Sequence, residues 1–175
     1  MTTPRLSLTH IALGCALLAL PGFGQTGESP TTAEHSSAHH LNVKYGDIKW
    51  QRIFPELGER SAEITILRVD PTTQATQLMI RVPKNFHVPQ HWHTANETHT
   101  IMRGTFIVEA EGKREALGVG SFNFVPGKMP HEAWTKPDEG ALLFITVDGA
   151  WDINWVNGPP KASDLIMAKK AREKP

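Results

Sequence analysis

The sequence is short of cysteine, tyrosine and unbalanced charge, and each shortage closes a class of function. One Cys in 175 residues leaves no disulfide framework and no CxxC pair for zinc or redox work. Eighteen Lys+Arg against eighteen Asp+Glu give a formal net charge of zero and a pI of about 7.1. That balance offers no basic face to nucleic acid and no polybasic anchor to a membrane. GxxxxGK does not occur, so no P-loop for phosphate is signalled. The apolar run Ile11–Leu20 is too short to span a bilayer. Hydrophobic residues at 39% and charged residues at 21% exclude wholesale disorder, and the length suits one domain, alone or with an extension. What the chain has in plenty is histidine, nine of them, beside thirteen prolines.

Met1 to His10 carries one charge, Arg5, and leads into Ile11–Leu20 and then Pro21-Gly-Phe-Gly24. A short apolar run followed by small residues at −3 and −1 predicts a secretory signal over 1–24, cleaved before Gln25. The mature protein is then expected in the periplasm or outside the cell, with no stable membrane span. An apolar N-terminal helix is the alternative. A lipid on Cys15 is another, although Ala12 stands at −3 where Leu is usual and the apolar run continues past Cys15. Cleavage removes the cysteine, which suits an oxidising compartment. Gln25 to His40 has no large apolar residue, so 25–42 is expected to be a flexible linker. His35, His39 and His40 there read as a polar tail, since nothing fixes their geometry.

From Val43 onward, short runs of β-formers alternate with turn residues. Strands are predicted over 63–69, 76–82, 98–102, 105–110, 114–117, 121–125, 132–135, 141–147 and 152–156, broken by pairs such as Arg103-Gly104, Pro126-Gly127 and Asp148-Gly149. Many short strands at this spacing predict an all-β sandwich or barrel over 43–158 rather than βαβ units. One helix is predicted, Ala162–Glu173, in a tail over 159–175. Phe106, Phe122, Phe124, Phe144, Trp134, Trp151 and Trp155 are expected mainly in the barrel core. Any of them at the mouth would favour an aromatic or apolar organic substrate.

The segment richest in chemistry is His87-Val-Pro-Gln-His91-Trp-His93-Thr-Ala-Asn-Glu97-Thr-His99. On a strand, His91 and His93 point to one face, where two imidazoles can share an ion at about 2.0–2.1 Å. Glu97, across a short break, can add a hard oxygen ligand. His131, in Pro126-Gly-Lys-Met-Pro-His131, is the candidate for a fourth. Three imidazoles and a carboxylate suit one divalent transition ion, Zn, Fe, Mn, Ni or Cu. His99 has the parity of Glu97 and is expected in the same cavity. It is either a catalytic acid/base or a lining residue that bonds Glu97 or a carbonyl. His87 is expected at the rim. Trp92, between two inward ligands, is expected to face outward, where it could pack on a second copy in a homodimer.

The spacing His91-x-His93-x3-Glu97-x6-Gly104, followed by Gly120-x5-Pro126-x4-His131, resembles the two motifs of the cupin superfamily. The resemblance is closest over about Val82–Thr135. It implies a conical double-stranded β-helix, or jelly-roll barrel, with His91, His93, Glu97 and His131 as metal ligands inside its mouth. Three positions depart from the pattern: Asn85 and Lys128 stand where glycine is usual, and Thr135 where asparagine often is. Asn tolerates a positive φ better than most residues. Two functional expectations stay open. One is a metal-dependent enzyme of dioxygenase, isomerase or lyase type acting on a small organic molecule. The other is a non-enzymatic module that binds or senses metal or ligand.

Overall fold

A computed structural model describes residues 40–167. The expected signal over 1–24, Cys15, His35, His39 and the tail after Met167 lie outside the described residues. The strands all belong to one unit that begins at Leu41.

Eleven strands are present among the described residues: β1 (Gln51–Arg52), β2 (Glu63–Val69), β3 (Thr76–Val82), β4 (His87–Trp92), β5 (Glu97–Gly104), β6 (Phe106–Ala110), β7 (Lys113–Leu117), β8 (Phe122–Val125), β9 (His131–Thr135), β10 (Ala141–Val147) and β11 (Asn154–Trp155). They form two antiparallel sheets, ordered β1-β2-β3-β10-β5-β8 and β11-β4-β9-β6-β7. This is the all-β jelly roll expected from the sequence.

Alternation places the core between the sheets. In β10, Ala141, Leu143, Ile145 and Val147 are buried at every second position, opposite Leu78 of β3 and Ile101 of β5. Burying an aliphatic side chain of this size contributes about 1.5–3 kcal/mol. Glu97 and His99 occupy the inward parity of β5, below Ile101, so the polar site is built at one end of the same apolar interior.

Gly104 closes β5 at φ 75°, and a Cβ there would sit 1.9 Å from the Gly140 carbonyl oxygen. Only glycine permits both the turn and that approach. Asn85 and Lys128 are also left-handed, at φ 59° and 64°, so these two positions keep the glycine-like conformation without glycine. Buried Thr135 accepts the Phe86 N–H at 2.9 Å and donates to the Pro83 carbonyl at 2.7 Å, tying β9 to the turn before β4.

Several expectations need correction. Among the described residues, the C-terminal helix covers Ala162–Leu165 alone; the rest of the expected span beyond Met167 lies outside them. Ile166 is extended and bridges to Phe86, and Asn85 binds the Met167 carbonyl at 2.9 Å. Pairing with the barrel thus replaces the next helical turn. Phe122 and Phe124 are not core residues; they are 65% and 52% exposed. β8 is an edge strand whose inward residues are Asn123 and Val125. The last strand is reduced to Asn154–Trp155. Strand β1 and the 3-10 turns Tyr45–Asp47 and Pro55–Arg60 carried no clear periodicity.

Candidate metal centre

β4 and β9 are antiparallel neighbours, and their register sets His91 opposite His131. Opposed strand residues share a face, so both imidazoles enter the interior, with ring centres 4.2 Å apart. His93 follows two residues after His91 and shares its face. Its backbone carbonyl accepts the Lys128 N–H at 2.7 Å, which ties the His91–His93 segment to the turn preceding His131. Gly127 lets that turn approach: a Cβ there would lie 2.7 Å from the Thr94 carbonyl oxygen. One ligand nitrogen from each of His91, His93 and His131 lies within 4.8 Å of the others. All three residues are buried.

The hydrogen bonds fix which nitrogen faces the centre. Nδ1 of His91 donates to the Pro89 carbonyl at 2.8 Å, and Nδ1 of His131 donates to the Met129 carbonyl at 3.1 Å. Nδ1 of His93 donates to the Asp152 carbonyl. A carbonyl can only accept, so in the neutral imidazole each Nε2 keeps its lone pair. Committing one nitrogen to a protein acceptor in this way sets tautomer and ring orientation for a metal-binding histidine. The Pro89 carbonyl is aimed by a bulge in the β4–β9 pairing between Val88 and His91; proline is tolerated at a bulge because its missing N–H breaks no ladder bond.

Burial, reinforced by His131 and His93, holds the pKa of His91 down at about 3. Burial also holds His131 at about 4. Both rings are therefore neutral near pH 7, the form a metal requires. Burial acts the same way on His93, but Glu97 and then the Asp152 carbonyl outweigh it and raise its pKa. Nε2 of His93 lies 3.0 Å from Glu97 Oε2, yet it has no aligned hydrogen-bond partner. A buried polar atom left in that state costs about 1–3 kcal/mol. A cation among the three Nε2 atoms would satisfy it, so the donor set fits a divalent ion.

Glu97 stands beside the triad rather than within the 4.8 Å group. It starts β5 in the other sheet, 2% exposed. Oε2 accepts from His99 Nε2 at 2.9 Å, and Oε1 accepts from the Trp151 indole N–H at 3.2 Å. Burial opposes its charge, but His99 and His93 hold the pKa well below the usual carboxylate range. Asn123 Nδ2 donates to His99 Nδ1 at 3.1 Å, as their opposition in β5 and β8 requires. Both nitrogens of His99 are thus engaged, and the ring links Asn123 to Glu97.

Asn123, Trp151 and the Asp152 carbonyl were not singled out from the sequence. Asn123 is flanked by two phenylalanines, whose apparent core character hides its inward parity. The segment after β10 acts as a strap beside the site. Trp151 reaches Glu97, the Asp152 carbonyl reaches His93, and Trp155 packs on His91 with ring centres 5.4 Å apart. The Asp152 carboxylate anchors the strap by accepting from Thr94 N–H and hydroxyl at 2.8 and 2.5 Å. Trp92 is half-buried and pairs with Asn154.

His87 lies away from the centre, on the outer face, stacked on Trp134 with ring centres 5.3 Å apart. A cavity of about 60 Å³ adjoins the triad, walled by apolar residues from both sheets and the strap.

Among solved structures, the chain is similar to KdgF from Halomonas sp., with 16% identity and a TM-score of 0.53 over 63% of this chain and 94% of that one. It is similar to the polyketide cyclase RemF from Streptomyces resistomycificus, with 16% identity and a TM-score of 0.56 over 72% and 90% of the two chains. It also resembles the DMSP lyase DddQ from Ruegeria pomeroyi DSS-3, with 18% identity and a TM-score of 0.56 over 66% of this chain and 64% of that one. No curated protein matches the chain. The model of a family described as a domain of unknown function, DUF4437, matches residues 23–154. That span takes in both sheets, the triad and most of the strap. The chain belongs to the DUF4437 family, and its fold is that of the cupins.

Proposed function

We propose that this chain is a metal-dependent cupin enzyme, of dioxygenase, isomerase or lyase type, acting on a small organic molecule. The observation that carries the reading is the convergence of three buried imidazoles with one ligand nitrogen each within 4.8 Å, beside an ionised carboxylate and next to a cavity. His91, His93 and His131 would hold the ion, with Glu97 as the oxygen ligand. A bound divalent ion supplies Lewis acidity, or dioxygen chemistry if it is redox-active. The protein's own part is to exclude water through the apolar walls, and to hold Glu97 ionised and oriented through His99 and Trp151. With both nitrogens of His99 committed, the geometry favours a positioning role over that of a free acid or base. The fold neighbours include proteins named as a lyase and a cyclase, which agrees with a cupin barrel hosting reactions on small molecules. We place the protein in the periplasm or outside the cell on the strength of the Ile11–Leu20 run and the small residues after it.

The burial of all four ligands favours a second reading, a closed site that binds metal or ligand without turnover. Azide added to the cobalt-loaded protein separates the two. A change in the cobalt d–d spectrum shows a coordination position open to exogenous ligand, as an enzyme needs. An unchanged spectrum with metal fully bound contradicts the enzyme reading.

A further inference from the structure

Beyond the histidine and glutamate face, the cavity is notable for what its walls lack. Phe54, Phe86, Phe106, Trp151, Ile153 and Trp155 contribute to them, with aliphatic residues of β3, β4 and β10 filling between. Among the described residues, no Lys, Arg, Ser, Thr, Tyr, Asn or Gln side chain lines the cavity. Of the two indole donors in the wall, the Trp151 N–H is taken by Glu97, and Trp155 lies beside the metal face, against His91. All polar recognition is therefore gathered at one pole.

Two physical consequences follow. A ligand group that carries a hydroxyl or a second charge into this cavity leaves water and finds no partner, which is costly. Charge at the pole is also limited. Three neutral imidazoles, one carboxylate and a divalent ion sum to +1, which a single anionic oxygen neutralises and a second would overshoot. The volume, about 60 Å³, holds a few waters at the roughly 10–15 Å³ each occupies on this scale, or one short organic chain.

We propose that the cavity takes a small organic monoanion whose one ionised oxygen meets the metal face and whose remaining body is hydrocarbon. This rests on the reading of the triad as a metal centre, and it narrows the substrate class: phosphorylated, dicarboxylic and polyhydroxylated compounds are excluded. Selectivity comes from the cost of unpaired polar groups rather than from any residue that recognises the body of the ligand.

The test is a titration of the cobalt-loaded full chain with pentanoate, 4-hydroxybutanoate and succinate, read by the cobalt d–d spectrum and by tryptophan fluorescence. Pentanoate and 4-hydroxybutanoate have equal numbers of non-hydrogen atoms and one carboxylate each; they differ by a terminal hydroxyl. Succinate replaces that end with a second charge. Pentanoate is expected to bind at least tenfold more tightly than 4-hydroxybutanoate, and succinate more weakly still. Equal binding of pentanoate and 4-hydroxybutanoate, tighter binding of succinate, or no binding of pentanoate to the metal-loaded protein overturns the proposal. Failure of cobalt itself to bind is a separate outcome that removes the metal centre and the proposal with it.

Discussion

His87 and His91 lie on the same strand, four residues apart, and do different things. Nδ1 of His87 faces the Asp164 carbonyl at 2.7 Å and Nε2 faces Glu132 Oε1 at 2.5 Å. Its ring stacks on Trp134, over which Arg114 also sits at 4.1 Å. Both nitrogens are spent on the outer face. His91, beyond the bulge, spends one nitrogen on the Pro89 carbonyl and turns the other toward His93 and His131. The residue type is shared. What separates a candidate ligand from a structural histidine is an unspent, inward lone pair, and here the strand pairing and the bulge supply it.

The largest expected effect comes from removing one side of that contrast. His131→Ala should lower metal affinity by more than about 100-fold, beyond the 10–100-fold typical of an outer-shell loss. His87→Ala should leave affinity within about twofold. Competition with a chromophoric chelator measures both, and equal losses would break the distinction. Next comes the strap. Trp151→Phe keeps the ring and removes the N–H on Glu97, so affinity should fall by about 10-fold or more with little change in thermal stability. Asn123→Ala acts one residue further away, through His99, and should cost less than Trp151→Phe in the same assay. The reverse order would show that Glu97 is held mainly from the β8 side.

The smallest effect expected is in the pH dependence of the metal-free protein. His91 and His131 titrate at about 3 and 4 when folded but near 6.5 when unfolded. The unfolded chain therefore binds up to about two more protons between those limits, and stability falls as pH drops from about 6.5 toward 4. His93, whose pKa is raised, has the opposite sign: its contribution is full below about 6.5 and is lost as pH rises through its folded value. In urea titrations across this range, His91→Gln should show a slope about one proton shallower than the parent. Parallel curves would mean that His91 is not held neutral by burial.

Most of the barrel and the triad could be read from the sequence because both depend on period-two alternation. His91 and His93 share a face for the same reason that Leu143 and Ile145 do. The spacing from Gly104 to Gly120 and His131 marked the two turns that close the barrel. The parts that could not be read depend on register and long-range pairing. Phe-Asn-Phe at 122–124 looks like two core residues around a polar one. The register of β8 against β5 instead sets Asn123 opposite His99 and leaves both rings exposed. Trp151 and the Asp152 carbonyl act across more than fifty residues of chain, and a backbone acceptor leaves no mark in a sequence. The helix at 162–165 ended early because Ile166 found a strand partner in Phe86, which no local propensity encodes.

The central claim is that His91, His93 and His131 form one metal centre. The most direct measurement is the metal content of the full chain purified without chelator or an affinity histidine tag, beside His91→Ala and His131→Ala. The account predicts about one divalent transition ion per chain, absent from both variants, with the parent regaining thermal stability when that ion is restored after removal. A parent that carries no ion and gains no stability from any added divalent metal would contradict it.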